Sequence, residues 1–256
     1  MRFGLIGYPI SHSKSPALFK AAYPQFSRQG TFEDCSYNLI ETPDFAEAFE
    51  TFKKYYDAVN VTAPFKELAF KAADNADDIT RRIGASNLLI KQNGAVSAYN
   101  TDFWAVSQIL RLYIPDYEKP EVLVVGCGGA GKAAAAAALS LHLKVTIANR
   151  DFDKGQQYSL NMGEDSSAIP LDRIAECVDH FGVVIYTIPL SIPQLSGLNL
   201  SPSKLIIEAN YKDPCLSGEN YISGLEWLKY QAIISFNLMT CLSSDEESVN
   251  NFIASL

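Results

Sequence analysis

Three glycines, Gly126, Gly128 and Gly131, fall at the spacing G-x-G-x-x-G. A backbone needs this spacing to wrap a pyrophosphate. The first glycine permits a tight turn, the second lets the main chain approach the phosphates, and the third lets the following helix pack close to the strand. The N–H groups at the start of that helix then face the anion. Two other readings fit the same residues. The turn could merely pack a helix on a sheet. Positions 126–132 also open like a phosphate-binding P-loop, G-x-x-x-x-G-K, but that motif needs Ser or Thr next to hold magnesium, and this chain has Ala133. At the end of the following strand, an NAD site carries Asp or Glu for the ribose hydroxyls. Here Asn149 and Arg150 stand there, and an arginine suits a 2′-phosphate, which predicts NADP. Asp151 follows at once and opposes it, because a carboxylate repels phosphate.

Other polar residues stand where chemistry is expected. Ser11, Ser13 and Ser15 precede a helical pattern with Pro16 in its first turn. Capping explains one hydroxyl, and Ser13 and Ser15 could also point donors at an anion. The run Asn60 to Glu67, NVTAPFKE, ends a strand at Pro64, which cannot continue a central strand. Ligands of open α/β sheets sit at such strand ends, so Lys66 is either a reacting group or a solvated lysine opening a helix. Asp102 precedes an apolar helical pattern over 103–113, where an N-cap role would account for it.

The elements that must position these groups follow from periodicity. Strands are predicted over 2–7, 32–40 and 58–62, with helices over 17–23 and 44–55 between them, a βαβαβ run ahead of any glycine turn. Asn93-Gly94 favours a type I′ hairpin between 88–90 and 96–99. Residues 115–120 form a proline-bounded linker. Then come strand 121–125, an alanine-rich helix, strand 144–148, helix 152–160, a poor strand over 166–170 and a helix over 171–178. Buried strands over 182–187 and 204–210 follow, and helices over 224–239 and 245–254 close the chain. This βαβ order predicts an α/β fold with two domains, one of them a Rossmann-like dinucleotide-binding domain.

The 256 residues suit two modest domains, and 48% hydrophobic with 20% charged residues is ordinary for a packed core. A net charge of −8 argues against a nucleic-acid or anionic-membrane partner. No run reaches the roughly 18 apolar residues of a membrane span. The N-terminus lacks a signal-peptide pattern, and five scattered cysteines without a C-x-x-C read as reduced thiols, so a cytoplasmic protein is expected. His12, His142 and His180 are isolated, so no metal site is expected.

Taken together, the motifs resemble the shikimate dehydrogenase family over almost the whole chain. They occur in family order: S-x-S at Ser13 and Ser15, N-V-T-x-P-F-K at 60–66, G-A-x-N at 84–87, N-T-D at 100–102, G-x-G-G-A at 126–130, N-R at 149–150, and G-L-x-x-L-x-x-Q at 224–231. The resemblance implies reversible reduction of 3-dehydroshikimate by NADPH, in chorismate and aromatic amino-acid biosynthesis. It implies a substrate domain over 1–102 completed by the helices of about 224–256, a cofactor domain over 103–223, and an active site in the cleft between them. Ser13 and Ser15 would hold the substrate carboxylate. Thr62, Asn87 and Gln231 would bind ring hydroxyls together with the catalytic pair Lys66 and Asp102, and Tyr211 would lie near substrate and nicotinamide. Gly126, Gly128, Gly129, Ala130, Gly131, Asn149, Arg150, Lys154 and Thr187 would hold NADP. The only other partner expected is a small-molecule substrate, with the chain a monomer or homodimer. Phe103, Tyr186-Thr187-Ile188-Pro189, Glu226 with Trp227, and Asp151 with Lys154 depart from the usual family pattern. An NAD-using quinate/shikimate relative and a non-catalytic dinucleotide-binding protein are the alternatives.

Overall fold

A computed structural model describes residues 1–24, 35–115, 117–195 and 200–256. The chain divides into two compact units, one of residues 1–101 with 229–256 and the other of residues 102–228. The proline-bounded segment 115–120 lies within the second unit.

The first unit is built on a six-stranded mixed sheet. Its strands are β1 (Arg2–Gly7), β2 (Ser36–Glu41), β3 (Ala58–Val61), β4 (Asn75–Ala76), β5 (Leu88–Gln92) and β6 (Ala95–Tyr99). Their order is β2-β1-β3-β5-β6-β4. β1 pairs parallel with both β2 and β3, as connections through the helices Ser15–Ala22 and Phe45–Tyr55 require. β5 and β6 form the antiparallel hairpin, and Asn93 (φ 52°) and Gly94 (φ 80°) adopt the two left-handed conformations of a type I′ turn. Asp44 caps the second helix by accepting from the N–H groups of Ala46 and Glu47. One sheet face is covered by a cluster that includes Ile6, Phe52, Val59, Phe65 and Leu89. Elsewhere in the unit Phe19 packs on Tyr37 and Phe236 with ring centroids 5.1 and 5.0 Å apart.

The second unit carries an all-parallel sheet of β7 (Val122–Val125), β8 (Val145–Asn149), β9 (Ser166–Pro170), β10 (Val183–Tyr186), β11 (Leu205–Glu208) and β12 (Asn220–Ile222), in the order β12-β11-β10-β7-β8-β9. Counted from β7, this is the 3-2-1-4-5-6 order of a doubly wound dinucleotide fold, with its switch point between β7 and β10. β7, β10 and β11 are buried throughout, the pattern of strands covered on both faces.

Three expectations are corrected. The strand expected over 32–40 begins at Ser36, and positions 32–34 lie outside the described residues. The helix over 171–178 is a 3₁₀ turn, one α-turn and a second 3₁₀ turn. Asp102 is not an N-cap, because its helix already begins at Thr101. Phe52 is fully buried and packs against Phe49 with the rings tilted at 56° in the first unit's main cluster. Phe52→Ala should therefore destabilise the protein by about 3–5 kcal/mol, read from urea unfolding.

Candidate active site

The N-terminal site residues are positioned by the ends of β1, β3 and β5. β1 ends at Gly7, where an added Cβ would lie 2.4 Å from the Thr62 methyl and 2.6 Å from Ile10. A side chain there would push Thr62 aside. Beyond it, Ser13 N–H donates to the Ile10 carbonyl at 2.8 Å, closing a turn that presents the two serines. Ser13 Oγ accepts from Ser15 N–H and donates to Ser15 Oγ, both at 3.2 Å. The helix N-cap position is Lys14, with no side-chain cap bond, and Ser13 Oγ covers the first N–H of the helix instead. Ser15 is buried and Ser13 half-buried. Thr62 N–H donates to Ile6 O at 2.8 Å, and Phe65 N–H turns back to Thr62 O at 3.0 Å. That turn sets half-buried Lys66 as the first residue of its helix, and the Lys66 carbonyl accepts from Ser86 N–H at 2.8 Å.

Asn87, 2% exposed, sits just before β5. Its Nδ2 donates to Thr101 Oγ1 at 2.9 Å and to Gln231 Oε1 at 3.4 Å, and its Oδ1 accepts from Thr101 N–H at 2.7 Å. Beneath these groups lies a polar network that sequence reading missed. The Tyr37 phenol donates to Asn60 Oδ1 at 2.9 Å. Asn60 Nδ2 donates to Ser235 Oγ at 2.9 Å and to the Asn87 carbonyl at 3.2 Å. Ser235 Oγ lies 2.8 Å from Thr101 Oγ1. Burial pushes the Tyr37 phenol far above its ordinary value, against a smaller opposing effect of Ser15, so it stays a neutral donor across the physiological range. The available signal was an asparagine in the wholly buried strand AVNV and a serine in the apolar helix that carries Gln231. A buried polar side chain needs partners.

In the second unit the glycine turn is fixed by contact. Gly126 has φ 103° and donates to Ala148 O at 2.8 Å. A Cβ on Gly131 would lie 2.0 Å from the Gly126 carbonyl oxygen, and one on Gly126 would lie 2.7 Å from Thr187 Oγ1. A Cβ on Gly128 would meet nothing within 4 Å, leaving open space beside the N-terminus of the helix Gly129–Ser140. Gly129 and Ala130 form its first turn, whose N–H groups have no intrahelical acceptor.

Asn149 and Thr187 brace this turn. Asn149 Oδ1 accepts from Cys127 N–H at 3.1 Å, while its Nδ2 donates to Asp151 O at 2.7 Å. Thr187 Oγ1 donates to Val125 O at 2.8 Å. Asp151 N-caps the helix Phe152–Met162, accepting from Lys154 N–H at 3.1 Å, and Arg150 is exposed. After β11, fully buried Glu208 accepts from Cys215 N–H at 2.7 Å, Leu216 N–H at 3.2 Å and the Tyr221 phenol at 2.9 Å. These bonds pin the loop that carries half-buried Tyr211. Asp102 Oδ1 accepts from Trp227 Nε1 at 2.9 Å. Among the described residues, no group of three or more His, Cys, Asp or Glu could hold a metal ion.

The structure thus joins Ser13 with Ser15 and Asn87 with Gln231 in the first unit. It joins the glycines with Asn149 and Thr187 in the second. Residues 5–89 match the family model described as the shikimate dehydrogenase substrate binding domain, and residues 108–195 match that of shikimate / quinate 5-dehydrogenase. The sequence is 32% identical over 268 residues to a shikimate dehydrogenase (NADP(+)) of Staphylococcus aureus (strain bovine RF122 / ET3-1), covering 99% of this chain and 97% of the relative. The chain belongs to the shikimate dehydrogenase family.

A crystal structure of shikimate dehydrogenase from Aquifex aeolicus superposes with a TM-score of 0.84 at 26% identity, over 98% of this chain and 96% of that one. A quinate dehydrogenase from Corynebacterium glutamicum, solved with NAD, reaches a TM-score of 0.83 at 19% identity, over 100% and 99% of the two chains. That likeness concerns the fold alone. Since the fold is common to both, cofactor and substrate preference in the shikimate dehydrogenase family must be argued from side chains. Membership makes this chain an oxidoreductase. Because the Gly131 position faces a backbone carbonyl rather than a flexible side chain, Gly131→Ala should destabilise the second unit by about 1–3 kcal/mol. A lowered thermal midpoint, seen with no ligand present, checks this.

Proposed function

We propose that the chain is an NADP-dependent shikimate dehydrogenase, interconverting 3-dehydroshikimate and shikimate. The observation that carries this reading is a set of neutral donors and acceptors: the Ser13–Ser15 pair, and Asn87 with Gln231 beside the buried Asn60, with Thr62 at the neighbouring strand end. Such a set suits a polyhydroxylated ring bearing a carboxylate. The two serine hydroxyls can each turn a proton toward the carboxylate, exchanging their weak mutual bond for charge-assisted ones. Asn87, its Oδ1 committed to Thr101 N–H and one amide N–H to Thr101 Oγ1, can exchange its long 3.4 Å bond to Gln231 for one to a ring hydroxyl. Gln231 is an acceptor from Asn87, so its own amide N–H₂ is directed elsewhere.

The glycine turn fits a dinucleotide pyrophosphate. The open space at Gly128 and the helix N–H groups of Gly129, Ala130 and Gly131 are what the phosphates need. Asn149 and Thr187 support that loop, and Tyr211 is assigned to the nicotinamide and substrate. Arg150 and Lys154 are assigned to the 2′-phosphate. Asp151 weakens that site less than its position suggests, because one of its oxygens is turned into its own helix cap. NADPH supplies the hydride when bound. The proton that the reduced oxygen must gain comes from Lys66, whose ammonium also stabilises the developing negative charge. Asp102 orients the lysine and a ring hydroxyl, and in the oxidative direction the pair takes the proton back.

Steady-state rates with shikimate and quinate, each with NADP and NAD, test the assignment. The highest kcat/KM is expected for shikimate with NADP. A higher value with NAD would reassign Arg150, and one with quinate would reassign the substrate. In the same assay Lys66→Ala should lower kcat by at least about 100-fold with little change in substrate KM. Asp102→Asn should also lower kcat, and the double variant should be no slower than the slower single one. Near-normal kcat in Lys66→Ala, with its circular dichroism unchanged, would remove the lysine from the mechanism, and no turnover of the parent chain with any of the four pairs would favour a non-catalytic binding protein.

A further inference from the structure

We infer that Trp227 is a positioning residue for Asp102, fixing which of its carboxylate oxygens exchanges a proton. This rests on the role proposed above for Asp102. Both residues belong to the second unit, 125 positions apart, and both are almost wholly buried, at 4% and 3% exposure. The 2.9 Å bond from Nε1 to Oδ1 is therefore made out of water. An indole N–H donates and never accepts, so it demands a lone pair on Oδ1. A hydroxyl oxygen of a protonated carboxyl is a poorer acceptor than the carbonyl oxygen. Holding Oδ1 as the acceptor directs any proton on Asp102 to Oδ2.

The fold sets this contact from both sides. The helix carrying Trp227 starts at Gly224, where a Cβ would lie 2.7 Å from Ala209 O and from the Asn210 carbonyl carbon. Only glycine allows the helix to begin this close to the end of β11, and one turn later that placement delivers the indole. On the other side Phe103 is buried and packs edge-on against Trp104, with ring centroids 5.0 Å apart, fixing the first turn that carries Asp102. The indole thus orients the carboxylate as a neutral donor, adding no charge to it.

The test uses the full chain and the shikimate–NADP assay. Trp227→Phe keeps an aromatic ring and removes the N–H. It should lower kcat by about tenfold or more, the effect of one hydrogen bond to a charged group, with KM for substrate and cofactor within about twofold. Combined with Asp102→Asn, it should cause no further loss. As a readout independent of turnover, the Trp227 indole ¹⁵N–¹H resonance should move upfield in Asp102→Asn while that of Trp104 stays in place. Unchanged kcat in Trp227→Phe, where Asp102→Asn is slow, would overturn the inference and leave the function standing. So would an indole resonance that ignores Asp102→Asn, which is decisive even if Trp227→Phe fails to fold. Full activity in Asp102→Asn would instead remove the role of Asp102, and the inference with it.

Discussion

The first unit depends on satisfying one buried amide. Asn60 lies in a strand with no exposed residue, so its carboxamide has no water to bind and must find partners in the protein. It finds them on three other elements: Tyr37 of β2, the Asn87 carbonyl ahead of β5, and Ser235 of the helix Gly224–Thr240. Leaving one such group unpaired costs about 1–3 kcal/mol, a large share of ordinary stability. The amide therefore dictates register between segments as far apart as positions 37 and 235. Asn87 and Gln231, two of the proposed substrate groups, adjoin this same network. Asn87 and Thr101 link the two, so the geometry offered to a ligand there is inherited from the requirement to satisfy the core.

The second unit solves its corresponding problem by sterics. The turn after β7 is defined by the absence of side chains at Gly126 and Gly131, with Thr187 and Asn149 closing it from the adjoining strands. Three parallel strand ends, those of β7, β8 and β10, thus hold one loop in one shape through uncharged contacts. The positive end of the following helix is left for a ligand.

What sequence reading recovered was local. The glycine spacing, the alternation of strand and helix, and the Asn93-Gly94 turn each depend on residues within a few positions, where dihedral preference decides the outcome. Two short strands escaped it. Asn75–Ala76 and Asn220–Ile222 are too brief to show a period, and pairing with β6 and β11 defines them. The partners of Asn60 and Asp102 escaped for a different reason. Trp227 read only as a departure from a pattern, and Ser235 lay unremarked within the helix expected over 224–239. Contacts across 125 or 175 positions leave no local signature. Asp102 itself read as a helix cap because Asp before an apolar run usually is one, whereas the helix starts one residue earlier.

The open space at Gly128 has a consequence for reading ancestry. Gly126 and Gly131 are locked by contacts inside the fold, so a descendant that had ceased to bind nucleotides would still retain them in order to fold. Gly128 has no such internal reason. Were the ligand abandoned, that position alone of the three would be free to drift, which makes it the glycine whose replacement would mark a degenerate, cofactor-free offshoot.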